Sequence, residues 1–136
     1  MKTITRLAMS LLTLAAFTTP QASAQGHSHF IKIPETVEGV WKEIANQQTK
    51  LDAVVTSKKL SEAHDHGFAI RDLVRALPAK VPAENKATAD AAVPQINKLA
   101  SAVDKSAAGG AQKVTEENVK KLATAVTALQ TALKAK

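Results

Sequence analysis

The sequence predicts an all-α protein, an up-down-up-down antiparallel four-helix bundle that follows a cleaved signal peptide. Three observations lead there. Apolar residues recur at steps of three and four, with no strand-like alternation. Pro34, Pro78, Pro82 and the pair Gly109-Gly110 punctuate the chain, and four such runs are read along it, at 35–56, 59–77, 83–107 and from about 115 onward. The first 24 residues have the layout of an export signal: Lys2 and Arg6 make a basic start, residues 7–17 are mostly apolar, and Ala22-Ser23-Ala24 supplies the small residues of a cleavage site. That apolar run is too short to anchor the chain across a bilayer. The expected organisation is a signal peptide at 1–24, a flexible His-containing leader at 25–34 and a four-helix bundle at 35–136.

In the leader, Ile33 precedes Pro34 and is biased to extended backbone. Pro34 suits the first position of a helix. The first helix is expected over 35–56. Val37, Val40, Ile44, Leu51 and Val55 share one narrow face, with Trp41 and Val54 beside it. Trp41 fits a core position better than a cofactor contact. Gln47 and Gln48 interrupt the stripe, either as a buried polar layer that sets register or as residues at its exposed edge. Glu35 and Glu38 fall in the first turn, where the helix dipole favours anions.

The second helix is expected over 59–77. Leu60, Ala63, Gly67, Ile70, Val74 and Leu77 form its seam. Gly67 costs about 1 kcal/mol of helix propensity relative to Ala, so close approach of another helix is the expected compensation. Arg71 belongs near the seam, Asp72 faces solvent, and these two with Arg75 suit a helix-edge salt bridge or a solvated face.

The third helix is expected over 83–107, with Ala92, Ile96, Leu99 and Val103 on one face and a kink or break at Pro94, which has no N–H to give. A break there would leave a three-helix arrangement as the rival fold. The fourth helix is expected to begin near Thr115 as N-cap, with Glu116 and Glu117 in its first turn. Val119, Leu122, Val126, Leu129 and Leu133 make its seam, and Lys134 and Lys136 suit its end. Helices of about twenty residues span about 30 Å, and short connections favour antiparallel neighbours.

Composition narrows the chemistry. The chain has no Cys, and its two Met residues, Met1 and Met9, leave with the signal. Removing 24 of 136 residues leaves 112, with 16 basic and 12 acidic side chains, a balance of +4. A mature chain without sulfur excludes disulfides, thiolate and thioether metal sites, iron–sulfur clusters and covalent or Met-ligated haem. The fold must hold by its core, which this length allows. The charge is too diffuse to suggest nucleic acid; at most it favours an anionic surface or an acidic partner. No nucleophile elbow or triad, no phosphate-cradling loop and no repeated His-carboxylate pair for a di-iron site is visible. An enzyme is the least supported class.

The mature start is the sharpest chemical feature. Cleavage after Ala24 exposes Gln25-Gly26-His27. A free amine, the deprotonated amides of Gly26 and His27, and the His27 imidazole can close a square plane of four nitrogens, the geometry Cu(II) and Ni(II) prefer. His29 stands ready as an auxiliary ligand. The opposing view makes His27 and His29 polar residues of a mobile terminus. His64-Asp65-His66 is the second cluster. Two residues apart on a helix point about 200° from each other, so His64 and His66 cannot chelate one ion from a regular helix. They are either boundary histidines satisfied by water or carboxylate, or parts of a site. In the second case His66 pairs with Glu62 one turn earlier, or His64 is completed by another helix or the leader. The candidate metal residues are therefore Gln25, Gly26, His27, His29, His64 and His66. Titration of His64 and His66 also allows pH sensing.

The stretch 51–80, LDAVVTSKKLSEAHDHGFAIRDLVRALPAK, resembles a group of small exported bacterial helical-bundle proteins that accompany metal-efflux systems. Leu60, Glu62, His64 and the run AIRDLVRALPAK at 69–80 carry the likeness. The resemblance implies an envelope location and a link to metal stress, and it assigns no catalytic residue. The bundle architecture also looks like that of soluble b-type cytochromes, but the mature chain has no Met and its fourth helix no His, so no haem is expected. The functional expectation is a non-enzymatic periplasmic or secreted metal-binding protein, in the periplasm of a Gram-negative cell. It would capture Cu(II) or Ni(II) and serve efflux or resistance with an efflux or sensor protein of the envelope. The alternative is a protein-interaction module with incidental histidines.

Overall fold

The computed structural model describes residues 31–135. These residues form an all-α fold with four helices and no strand among them: α1 (Val37–Thr56), α2 (Ala63–Ala76), α3 (Ala83–Ala108) and α4 (Gln112–Lys134). One-turn 3₁₀ segments, Leu60–Glu62 and Leu77–Ala79, flank α2. Helices adjacent in sequence pack on each other, and α1 also meets α4. Side chains tie both ends. Gln112 Nε2 donates to the Val55 carbonyl at 2.8 Å, and Asn85 Nδ2 donates to the Leu133 carbonyl at 3.2 Å.

Helix α1 starts two residues later than expected. Thr36 is the N-cap, its hydroxyl accepting from the Gly39 N–H at 3.1 Å. Pro34 lies before the helix and packs towards Gly39, where an added Cβ would stand 2.8 Å from the Pro34 Cβ. Ile31 and Ile33 also rest against the core. The buried stripe is Val40, Ile44, Gln47, Leu51 and Val55, and Trp41 is half-buried beside it. Of the two readings of Gln47, the buried polar position is the one adopted. The helix ends with Lys58 in the left-handed region at φ 60°, and the Lys58 and Lys59 N–H groups return to the Val55 and Val54 carbonyls.

All the expected seam residues of α2 contribute to the core, Leu60 only in part. Ala69 and Leu73 are buried as well, because α2 lies between α1 and α3 and needs a wider apolar face. A Cβ on Gly67 would meet Val103 Cγ1 at 3.7 Å and the Ala100 carbonyl at 3.9 Å. Helix α3 approaches, as expected, but it leaves room for a methyl.

Two expectations are corrected in the second half. Pro94 does not break α3, which runs unbroken from Ala83 to Ala108. Pro94 is exposed, so the carbonyl it leaves without an amide partner, that of the exposed Asp90, lies on the water side of the helix. The rival three-helix arrangement falls with the break. Thr115 is not an N-cap: α4 begins at Gln112, and Thr115 is fully buried, its hydroxyl 3.0 Å from both Ser106 Oγ and the Ala111 carbonyl. The turn between α3 and α4 places Gly110 at φ +67°, a conformation glycine adopts without a Cβ penalty. The buried face of α3 is centred on Asn85, Ala89, Ile96, Ala100, Val103 and Ala107, with Ala92 and Leu99 at its margin. The α4 seam Val119, Leu122, Val126 and Leu129 is buried, and Leu133 packs at its end.

Candidate metal site

The start of α2 positions the histidine cluster. The 3₁₀ turn Leu60–Glu62 feeds directly into Ala63, and the Ala63 side, facing the core, sets the orientation of the next three residues. His64, Asp65 and His66 are each half-buried. His64 Nδ1 lies 2.7 Å from the Ser61 carbonyl, which can only accept, so this nitrogen carries a proton. His64 Nε2 lies 2.5 Å from Asp65 Oδ1.

His66 turns to the other helix. Its Nδ1 stands 2.7 Å from Gln47 Oε1 on α1. Gln47 Nε2 in turn donates to Glu43 Oε1 at 2.7 Å, and Asn46 Nδ2 holds both oxygens of Glu43 at 3.2 Å. The result is a continuous polar chain, Glu43–Gln47–His66, across the α1–α2 interface. Glu62, the partner suggested by helical spacing, lies exposed in the 3₁₀ turn before α2. The sign of the chain in the sequence is Gln47 itself, an amide where the stripe asks for an aliphatic residue.

The two imidazoles thus engage different neighbours, as their two-residue separation requires. Among the described residues, no three His, Asp or Glu side chains form a group able to hold a metal ion. Gln25, Gly26, His27 and His29 lie outside the described residues.

Further along α2, Arg71 and Asp72 form a two-pronged pair, Nε to Oδ1 at 2.8 Å and a terminal nitrogen to Oδ2 at 3.1 Å. Asp72 is half-buried rather than solvent-facing, because Arg71 folds back along the helix with its guanidinium 4.4 Å from the Phe68 ring centre. These contacts read as a helix-edge structure.

No helix among the described residues is long and apolar enough to cross a membrane. No protein-family model, curated protein or solved structure matches the chain.

Proposed function

We propose that this chain is a non-enzymatic metal-binding protein of the periplasm, or secreted, that captures Cu(II) or Ni(II) and serves metal efflux or resistance. The observation that carries the reading is the placement of Gln25-Gly26-His27 directly after the small-residue cleavage motif Ala22-Ser23-Ala24. Removal of residues 1–24 as a signal peptide gives a free amine two peptide units before an imidazole. Cu(II) and Ni(II) favour the tetragonal nitrogen set this start offers. His29 is the auxiliary donor, and His64 and His66 stand on the bundle as further imidazoles.

The scaffold in this reading is an up-down-up-down antiparallel four-helix bundle, supported by short connections, packing of sequential helices and the meeting of α1 with α4. The cargo would pass to an efflux or sensor protein of the envelope.

Intact mass of the exported protein, with and without one equivalent of Cu(II), tests the reading. The expected result is a chain beginning at unblocked Gln25 that gains one copper ion and shows a visible d–d band. A different first residue, a pyroglutamate, or no copper adduct overturns it.

A second reading, a protein-interaction module with incidental histidines, is favoured by an open apolar trough between α3 and α4. Ala91, Ala92, Leu99, Ala125 and Ala128 line it, with Lys120 and Lys121 at one end. Deleting residues 25–29 separates the two. Metal tolerance is lost if the leader acts and is unchanged if the bundle acts alone.

A further inference from the structure

The apolar trough between α3 and α4 consists of two adjoining hollows of about 460 and 360 Å³ that share Gln95, Ala125 and Ala128. No acidic side chain lines it, and its only charges are Lys120 and Lys121, at the end beside Leu99. Ala91 and Ala128 are both exposed near its middle. They stand at one level, because the Asn85–Leu133 hydrogen bond ties α3 six residues before Ala91 to α4 five residues after Ala128. Seven residues either side of Ala91 lie Glu84 and Lys98, both exposed. A step of seven drifts by only about 20° around a helix, so the three share one side of α3. Seven residues either side of Ala128 lie Lys121 and Ala135. Ala135 is the C-cap of α4, where the free carbonyls carry the negative end of the helix dipole. On each helix, opposite charges thus stand about 10 Å either side of a central alanine.

A face that is positive on one side of its centre and negative on the other complements itself after a half-turn. We propose that this face is the interface of a homodimer, in which a second copy docks antiparallel, α3 on α3 and α4 on α4, about a two-fold axis that passes Ala91 and Ala128. The axis brings Glu84 of each copy to Lys98 of the other, and Lys121 of each copy to the carbonyl end of the other's α4. A parallel pairing is opposed by charge, since it sets Lys98, Lys120 and Lys121 of one copy level with the same lysines of the other. Alanine at both crossings lets the helices approach to the short end of the usual 8–10 Å separation, and the apolar surface of both troughs leaves water. Between Glu84 and Lys98 the face is only about 21 Å long, small beside the interface of a permanent dimer, so the association is reversible. The inference goes beyond the metal-binding reading and does not depend on it.

Sedimentation velocity of the exported chain across a series of concentrations tests it. The expected result is a monomer–dimer equilibrium that weakens as NaCl is added. Glu84→Lys or Lys98→Glu alone sets like charges across the axis and is expected to weaken association about tenfold. The double variant Glu84→Lys/Lys98→Glu restores opposite charges and is expected to recover it. The chain has no Cys, so a single introduced thiol reports on the axis. Ala91→Cys and Ala128→Cys are each expected to yield a disulfide-linked dimer with oxidised glutathione, because a residue on a two-fold axis meets its own counterpart within disulfide reach. Ala45→Cys, on the exposed side of α1, is expected to remain unlinked. All five positions are exposed, so the fold is expected to persist in every variant, as circular dichroism checks. A chain that is monomeric at every concentration overturns the proposal and leaves the trough to a different partner. A dimer indifferent to charge reversal at Glu84 and Lys98, or one that links through Ala45→Cys and not through Ala91→Cys, also overturns it, since the second copy then sits on another face.

Discussion

Replacing Gly67 by Ala tests how closely α2 and α3 are packed. Gly67 is buried in the middle of α2, and its helical conformation suits any L-residue. The Cβ that alanine adds would have Val103 Cγ1 at 3.7 Å, the Ala100 carbonyl oxygen at 3.9 Å and Val103 Cβ at 4.0 Å as its nearest neighbours. All three are ordinary van der Waals separations, so no atom has to move. The gain from helix propensity is about 0.8–1.0 kcal/mol. Each new carbon contact adds only about 0.1–0.2 kcal/mol, so the expected total is about 1 kcal/mol of added stability. For a bundle of this size that raises Tm by roughly 4–8 °C. Urea and thermal unfolding followed by circular dichroism at 222 nm measure it, provided the transitions are two-state. Gly67→Val is the companion variant: its extra carbons reach past the methyl position into Val103 and Ala100, and it is expected to destabilise. Loss of stability in Gly67→Ala would refute the reasoning. It would mean that the helices approach closely enough to require glycine.

Three further substitutions probe features that local rules alone do not explain. Lys58→Gly relieves a left-handed residue at the end of α1 and is expected to stabilise by about 1 kcal/mol in the same unfolding assay. Thr115→Val preserves shape but removes a hydroxyl lying 3.0 Å from Ser106 Oγ and the Ala111 carbonyl; it is expected to cost about 1–2 kcal/mol and to lower the denaturant midpoint. Pro94→Ala restores an amide donor inside the unbroken α3 and is expected to add about 1–3 kcal/mol, with amide hydrogen exchange slowed around Asp90–Pro94. A neutral result at Pro94 would indicate that α3 already takes its lowest-energy path with the proline in place.

The helix-forming runs were legible because burial repeats with the period of the helix. The seams Leu60 to Leu77 and Val119 to Leu133 needed only the three-four spacing of their apolar side chains. Thr115 was misread for a physical reason. A Thr followed by two glutamates satisfies the local chemistry of an N-cap, and nothing nearby shows that Ser106 waits across the turn to receive its hydroxyl. Pro94 was misread similarly, since the rule for proline describes a lost bond and not whether water can replace it. In α3 the alanines Ala89, Ala100 and Ala107 are buried although their small side chains gave a weak apolar signal, because neighbouring helices close over them.

At the candidate site the same division holds. The residue types at His64, Asp65 and His66, and the divergence of the two imidazoles, follow from sequence and helical geometry alone. The choice of Gln47 as the partner of His66 does not, since 19 positions separate them and either glutamine of the pair Gln47-Gln48 could have faced inward. Sequence periodicity determined which face of each helix turned to the core. The axial register of α1 against α2, and with it which polar atoms meet, was decided only when the side chains of both helices packed. Hydrophobic burial is non-directional and tolerates many registers, whereas a buried amide is satisfied in very few.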